Sequence, residues 1–461
     1  MIRRMIVLGA GGDLAARLLL PALAGLLARK RLPADLEVVC VDRAPLDDAT
    51  FRAHVRTAVG VCGDAEARAS ADALAAACAY HQGDAGDPEA LRAALGDDGE
   101  PVVLYLALPP VVFAPAITAA AEVGLPEGSR MVVEKPFGTG LESARELNAL
   151  LRTALPEAAI HRMDHFLGKQ TVQNILGLRF ANRVVEPILN REHVERVDVI
   201  WDETLALEGR AGYYDRAGAL RDMIQNHLLQ IMTLLAMEPP PTLHERDLRD
   251  RKVDLLRSVR TPDRAALATE SVRARYTSGD AVEGPVPDYA AEEGVDPAHG
   301  TETFAALTLW VDSWRWSGVP FTLRSGKALG VLRQQAEVHF RPVPHLAFGQ
   351  DQHPQANVLT FGLAPDRLTL SVNVNGEGEP FTLEQALLEA DFPDQDISAY
   401  GRVILDILDG DATLSIRGDE AEEAWRIIEP VLDAWGAGVP GLTEYPAGSE
   451  GPPVPVPPPG R

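Results

Sequence analysis

The chain has 461 residues, with 43 Lys plus Arg against 67 Asp plus Glu, for a formal net charge of -24. Such acidity argues against general binding to DNA or RNA, whose phosphate backbones require a basic footprint. The length suggests two or three domains, and an apolar share of 46% with 24% charged residues suggests a globular chain rather than a disordered one. No apolar stretch is long enough to span a bilayer, so no membrane association is expected.

The elements follow in chain order. The N-terminus is basic, but the apolar run behind it, Met5 to Ala10, breaks at Gly11-Gly12-Asp13. That is too short for a secretory segment and reads as part of a buried strand over Ile2 to Gly9. The three cysteines, Cys40, Cys62 and Cys78, form no CxxC pair and suggest neither disulfides nor zinc, which fits a cytoplasmic protein. An Ala/Leu-rich helix is predicted over Leu14 to Lys30 and a second strand over Leu36 to Asp42. Strands at Val102 to Leu108 and Arg130 to Glu134 follow, with helices at Val111 to Glu122 and Leu141 to Leu155. This alternation predicts an α/β Rossmann domain with a parallel sheet over residues 1–163.

From residue 164 the pattern changes. Helices are predicted at Thr171 to Arg183 and Ala219 to Met237. Strands are predicted at Val194 to Asp202, Leu267 to Tyr276, Thr303 to Val311, Phe321 to Ser325, Ala336 to Phe340, Val358 to Leu363 and Leu368 to Val374. No regular helices separate them, so residues 164–447 are expected to form an α+β domain with a large, mostly antiparallel sheet. Two helices, Ala399 to Asp409 and Ala421 to Trp435, precede a Pro-rich tail over 448–461.

The first strand runs into Gly9-Ala10-Gly11-Gly12-Asp13-Leu14-Ala15 and a helix. Glycines here let backbone N–H groups approach a pyrophosphate, although the same residues also suit a tight strand–helix turn with no ligand. The second strand ends in Asp42-Arg43. Asp42 suits the ribose hydroxyls of NAD and Arg43 the 2′-phosphate of NADP, so the cofactor is NADP or NAD. There are only five lysines, and three lie in motif-like settings: Glu134-Lys135-Pro136-Phe137-Gly138, Asp164-His165-Phe166-Leu167-Gly168-Lys169 and Arg324-Ser325-Gly326-Lys327. The compact ammonium charge suits phosphates and hydroxyls. Lys30 and Lys252 read as ordinary surface charges.

With Val172-Gln173-Asn174, Leu178 to Asn182, Glu208-Gly209-Arg210-Ala211-Gly212-Tyr213-Tyr214-Asp215 and Arg221-Asp222-Met223-Ile224-Gln225-Asn226-His227, these motifs resemble the glucose-6-phosphate dehydrogenase family. They stand in the family's order and reach to about residue 340. The resemblance implies a small-molecule sugar phosphate as substrate, and homodimers or homotetramers formed through the large sheet. It implies His227 as general base with Asp164 as its partner. Oxidising an anomeric hydroxyl needs such a base near pH 7, and a carboxylate to steady the imidazolium. It also assigns Glu203, Asp222 and Lys327 to the sugar hydroxyls, and His165 and Lys169 to the phosphate. Lys135 would bridge cofactor and sugar, and Pro136 beside it allows an unusual peptide geometry. Asp222 lies five residues before His227, about 140° round an α-helix, so an end-of-helix position is needed; taken by itself it reads as a cap.

Three positions depart from the family pattern. Phe166 stands where the family usually has Tyr, Leu332 where it has a basic residue, and Leu18 where it has Lys. All three remove groups directed at phosphate or other anions. Two alternatives therefore stay open: a paralogue oxidising a different pyranose or sugar phosphate, and a non-catalytic sugar-phosphate or nucleotide sensor. No metal is expected. The four basic residues between His161 and Arg183 (Arg162, Lys169, Arg179 and Arg183) suggest that attraction for anions is concentrated near the site.

Overall fold

The computed structural model of the chain describes residues 1–207, 211–348, 353–377, 381–393 and 395–456. Glu208, Gly209 and Arg210 of the motif before Asp215, and residues 457–461 of the tail, lie outside the described residues. The chain forms two compact units. The first comprises Met1–Lys169, Pro240–Asp250 and Gln395–Glu423; the second comprises Gln170–Pro239, Arg251–Asp394 and Ala424–Arg461. This partition differs from the division at residue 164, because two later segments fold with the N-terminal part.

In the first unit, strands β1 (Arg4–Leu8), β2 (Glu37–Asp42), β3 (Cys78–Gln82), β4 (Val102–Leu106), β5 (Arg130–Glu134) and β6 (Ile160–Met163) form one sheet. Every pair is parallel, in the order β3-β2-β1-β4-β5-β6 of a doubly wound nucleotide-binding sheet. The two strands absent from the sequence reading, β3 and β6, are short and rich in polar residues. The helix Ala399–Asp409 joins the core with Met5, Leu23, Val38, Phe51 and Val103. Ile2 N–H donates to the Leu408 carbonyl (3.1 Å), and the Arg130 guanidinium donates to the Ile407 and Leu408 carbonyls (2.7 and 2.8 Å). A cation at a helix C-terminus satisfies carbonyls that have no partner within the helix.

In the second unit, β7 (Val194–Asp202), β8 (Val259–Arg260) and β9 (Ser271–Thr277) lead to a small hairpin of β10 (Gly279–Ala281) and β11 (Gly284–Val286). Then come β12 (Phe304–Val311), β13 (Pro320–Gly326), β14 (Arg333–Phe340), β15 (Val358–Leu363), β16 (Asp366–Asn375), β17 (Leu383–Asp391) and β18 (Thr443–Pro446). The large sheet has ten strands in the order β17-β16-β15-β14-β7-β13-β12-β9-β18, with β8 added on β12. Only β7–β13 and β9–β18 pair in parallel among its described pairs, so the sheet is mostly antiparallel. The strand expected over Leu267 to Tyr276 is split. Asp263 accepts from the N–H groups of Ala265 and Ala266 and starts a helix over Arg264–Glu270, so the strand begins only at Ser271. The edge strand β17 lies along β16 and is largely exposed, Leu387 and Leu388 included, so no period-2 alternation marked it in the sequence. No described helix is long and apolar enough to cross a membrane.

Candidate active site

The parallel sheet delivers several expected site residues to one edge, because each follows the carboxyl end of a strand. The glycine turn follows β1, Asp42 ends β2, Lys135 follows β5 and Asp164 follows β6. Such an edge is where doubly wound sheets take ligands. Gly9 has φ +82°, and a Cβ there would lie 2.5 Å from the Ala107 carbonyl oxygen after β4, so only glycine fits. Gly11 N–H donates to Asp42 Oδ2 (3.0 Å), and Gly12 N–H to the Gly9 carbonyl (3.1 Å). The turn then enters a π-helical stretch at Ala15–Leu19 that continues as an α-helix to Ala28. Asp13 is exposed and 3.6 Å from Arg17, Leu14 is half-buried, and Arg43 is exposed beside Asp42. A cradle that excludes Cβ atoms, opposite a carboxylate at the next strand end, fits a dinucleotide.

The Lys135–Pro136 peptide is cis. Glu134 beside it is buried and accepts from the Tyr105 and Tyr400 hydroxyls, which also bond each other. Burial pushes the Glu134 carboxyl up, and the two hydroxyls oppose that. Sequence reasoning missed Tyr105 and Tyr400, because nothing local links residues so far apart.

Asp164 is 1% exposed and caps a 3₁₀ turn over His165–Gly168, its Oδ1 accepting from Phe166 N–H (3.0 Å). His165 and Lys169 flank the buried Phe166. The imidazole meets the Phe166 ring edge-on at 5.1 Å between centroids, and Lys169 Nζ lies 5.2 Å from the ring centre.

In the second unit, β7 and β13 are parallel neighbours in the register Asp202 to Gly326, so Glu203 and Lys327 emerge side by side. Lys327 Nζ is 2.7 Å from Glu203 Oε2 and 5.3 Å from the centre of the Tyr214 ring. Burial, with Asp222 nearby, pushes the Tyr214 hydroxyl well up, so it stays a neutral phenol. Asp222 and His227 lie on a π-helix, Leu220–Leu228, that packs on β7, β12 and β13. Its i→i+5 bonding brings a residue five places on nearly one turn round, so the α-helical objection to pairing Asp222 with His227 falls away. Asp222 is also in the first turn, and His227 is 1% exposed.

Other cations have structural duties. Arg162 is fully buried against Glu157 (2.7 Å) and Asn148. Arg179 is fully buried against Glu186 (3.0 Å) and the carbonyls of Leu234 and Met237. Neither is a free attractor for anions, which corrects the basic count between His161 and Arg183. Arg333 is turned onto Asp202 (3.0 Å), which Arg324 also binds (2.9 Å). Leu18 and Leu332 are exposed. Lys252, expected at the surface, is 1% exposed, because it lies on the buried helix stripe with Leu248 and Leu256. Asp198, Glu337 and His339 gather on β7 and β14, where the Arg196 guanidinium binds both Asp198 and His339.

Comparison with known proteins adds independent findings. The family described as "Glucose-6-phosphate dehydrogenase, NAD binding domain" matches residues 6–174, and "Glucose-6-phosphate dehydrogenase, C-terminal domain" matches residues 176–455. The glucose-6-phosphate 1-dehydrogenase of Treponema pallidum is 38% identical, over 97% of this chain and 92% of its own length. That of Zymomonas mobilis is 36% identical, over 98% and 96%. A crystal structure of glucose-6-phosphate 1-dehydrogenase from Mycobacterium avium superposes with a TM-score of 0.86 at 33% identity, covering 98% of this chain and 95% of that one. A glucose-6-phosphate dehydrogenase in complex with its substrate glucose 6-phosphate gives 0.87 at 30%, covering 98% and 96%.

Proposed function

The chain belongs to the glucose-6-phosphate dehydrogenase family of NAD(P)-dependent oxidoreductases, and from that premise we propose that it oxidises C1 of glucose 6-phosphate to 6-phosphoglucono-1,5-lactone. The match of both family domains over nearly the whole chain carries this reading. The glycine cradle and Asp42 would hold the cofactor through Gly9, Gly11, Gly12, Asp13 and Leu14, with Arg43 available to a 2′-phosphate. When bound, the nicotinamide ring supplies the hydride acceptor.

His227 removes the proton of the C1 hydroxyl, and Asp164 stabilises the resulting imidazolium. A neutral imidazole does this work near pH 7. Glu203, Asp222 and Lys327 orient the hydroxyls; the Lys327–Glu203 pair offers a donor and an acceptor at one point. His165 and Lys169 bind the phosphate by charge-assisted hydrogen bonds, and Lys135 serves both sugar and cofactor. In this reading residues 1–163 are the cofactor domain, 164–447 the substrate and oligomerisation domain, and 448–461 the tail. A homodimer or homotetramer and a cytoplasmic location complete it, the latter supported by three cysteines without a disulfide.

The test is absorbance at the reduced-nicotinamide band with NAD and with NADP, each against a panel of sugars and sugar phosphates. Highest kcat/KM with glucose 6-phosphate supports the reading. A better substrate in the panel moves the assignment to a paralogue, and no turnover with any of them moves it to a sensor.

A further inference from the structure

The tripeptide Thr301-Glu302-Thr303, just before β12, ties together several elements assigned to the sugar. Thr301 Oγ1 donates to the Asp215 carbonyl (2.6 Å), and the Thr303 carbonyl accepts from Lys327 N–H (3.0 Å). Between them, Glu302 grips the start of the π-helix twice. Its carbonyl accepts from Ala219 N–H (3.2 Å), and its Oε1 accepts from Leu220 N–H (3.1 Å). Glu302 is 7% exposed, and Ala219, at the N-cap, has no side chain able to cap the helix. A residue 82 positions away therefore supplies the missing cap. Gly218 makes room for it: at φ +71°, a Cβ there would lie 2.4 Å from Glu302 Oε1 and 2.8 Å from its Cδ. A carboxylate at this end also opposes the positive end of the helix dipole.

The cap sits where register is decided. An i→i+5 helix is less favourable than an α-helix and persists where its surroundings impose it. If the first turn relaxed to α-helical bonding, Asp222 and His227 would separate to about 140° around the axis. We propose that Glu302 is a positioning residue, holding the π-register that keeps Asp222 and His227 on one face. The inference rests on the assignment of His227 and Asp222 to the reaction.

The experiment uses the full chain with glucose 6-phosphate and nicotinamide cofactor. Glu302→Gln keeps an oxygen acceptor at full reach; Glu302→Asp keeps the charge but is one methylene too short. Readouts are kcat, KM for the sugar, cofactor Kd and amide hydrogen exchange over Leu220–His227. Glu302→Asp is expected to lower kcat/KM by roughly 10–100-fold, to leave cofactor Kd unchanged and to speed exchange in that stretch. Glu302→Gln is expected to stay within about twofold of wild type, since it retains the bond to Leu220 N–H. Unchanged exchange in Glu302→Asp overturns the register lock. Faster exchange with full turnover overturns the positioning role, as does a Gln variant as impaired as the Asp variant. His227→Asn is run alongside: turnover retained there counts against the base assignment alone, because the exchange readout tests the lock without it.

Discussion

Lys327 Nζ and Glu203 Oε2 lie 2.7 Å apart although 124 residues separate them, because two parallel strands end at the same level. Both side chains are mostly shielded, at 15% and 23% exposure, so either change alters a defined contact rather than a solvated surface charge. Lys327→Met and Glu203→Gln should each lower kcat/KM for glucose 6-phosphate by roughly 10–100-fold, the worth of a hydrogen bond to a charged group. Cofactor Kd, measured by fluorescence titration of the free enzyme, should not move. A weakened Kd for cofactor with an unchanged sugar KM would remove the pair from the sugar site.

Phe166 packs against His165 and Lys169, the two residues proposed above to bind the phosphate, and stands where the family usually has Tyr. Phe166→Tyr should lower KM for glucose 6-phosphate by roughly tenfold, with smaller effects for unphosphorylated glucose. Equal changes for both sugars would show that the ring does not face phosphate.

Arg43 is exposed beside Asp42, whose carboxylate accepts from Gly11 N–H. Arg43→Ala should raise KM for NADP by roughly tenfold or more and leave KM for NAD near its wild-type value, since only NADP carries the 2′-phosphate. Parallel initial-rate series with the two cofactors check this; an equal change in both would show that Arg43 does not read the phosphate.

Acid sensitivity has a local source in His161. It is fully buried, with Nδ1 2.9 Å from Ser415 Oγ, and burial, reinforced by Arg130 and Arg249, lowers its pKa to about 3. An unfolded His titrates near 6.5. Between those values the unfolded chain holds a proton that the folded chain refuses. Stability therefore falls as pH drops through this window, by up to about 1.4 kcal/mol per pH unit. Asp406, which burial raises to about 6, acts in the opposite sense above its unfolded value, because the folded form binds that proton first. Comparing wild type with His161→Gln isolates the first effect. Urea midpoints at pH 7 and pH 5 should fall more for wild type than for the variant, and equal falls would contradict the assignment.

The fold was readable where the physical signal is local. Continuous apolar strands alternating with helices marked the parallel sheet, and Ala399–Asp409 was placed residue for residue. Its packing with the N-terminal unit was not readable, because an amphipathic face does not name its partner. Burial of Lys252, Arg162 and Arg179 was hidden for a related reason: charge suggests exposure unless the acid or carbonyl that receives it is known. The glycine turn and the motifs around Lys135, Lys169 and His227 announced the candidate site. The Glu134–Tyr105–Tyr400 group and the cap from Glu302 depend on contacts between distant residues, and the π-register of Leu220–Leu228 has no composition signature that the helix pattern reveals.

The most direct measurement is steady-state turnover of His227→Asn beside wild type, with glucose 6-phosphate and saturating NADP or NAD, together with cofactor Kd for each protein. The variant should lose turnover by roughly 10³-fold or more while its cofactor Kd stays within about twofold, as removal of a general base requires. Turnover within about tenfold of wild type would contradict the role of His227 as the base that takes the C1 hydroxyl proton.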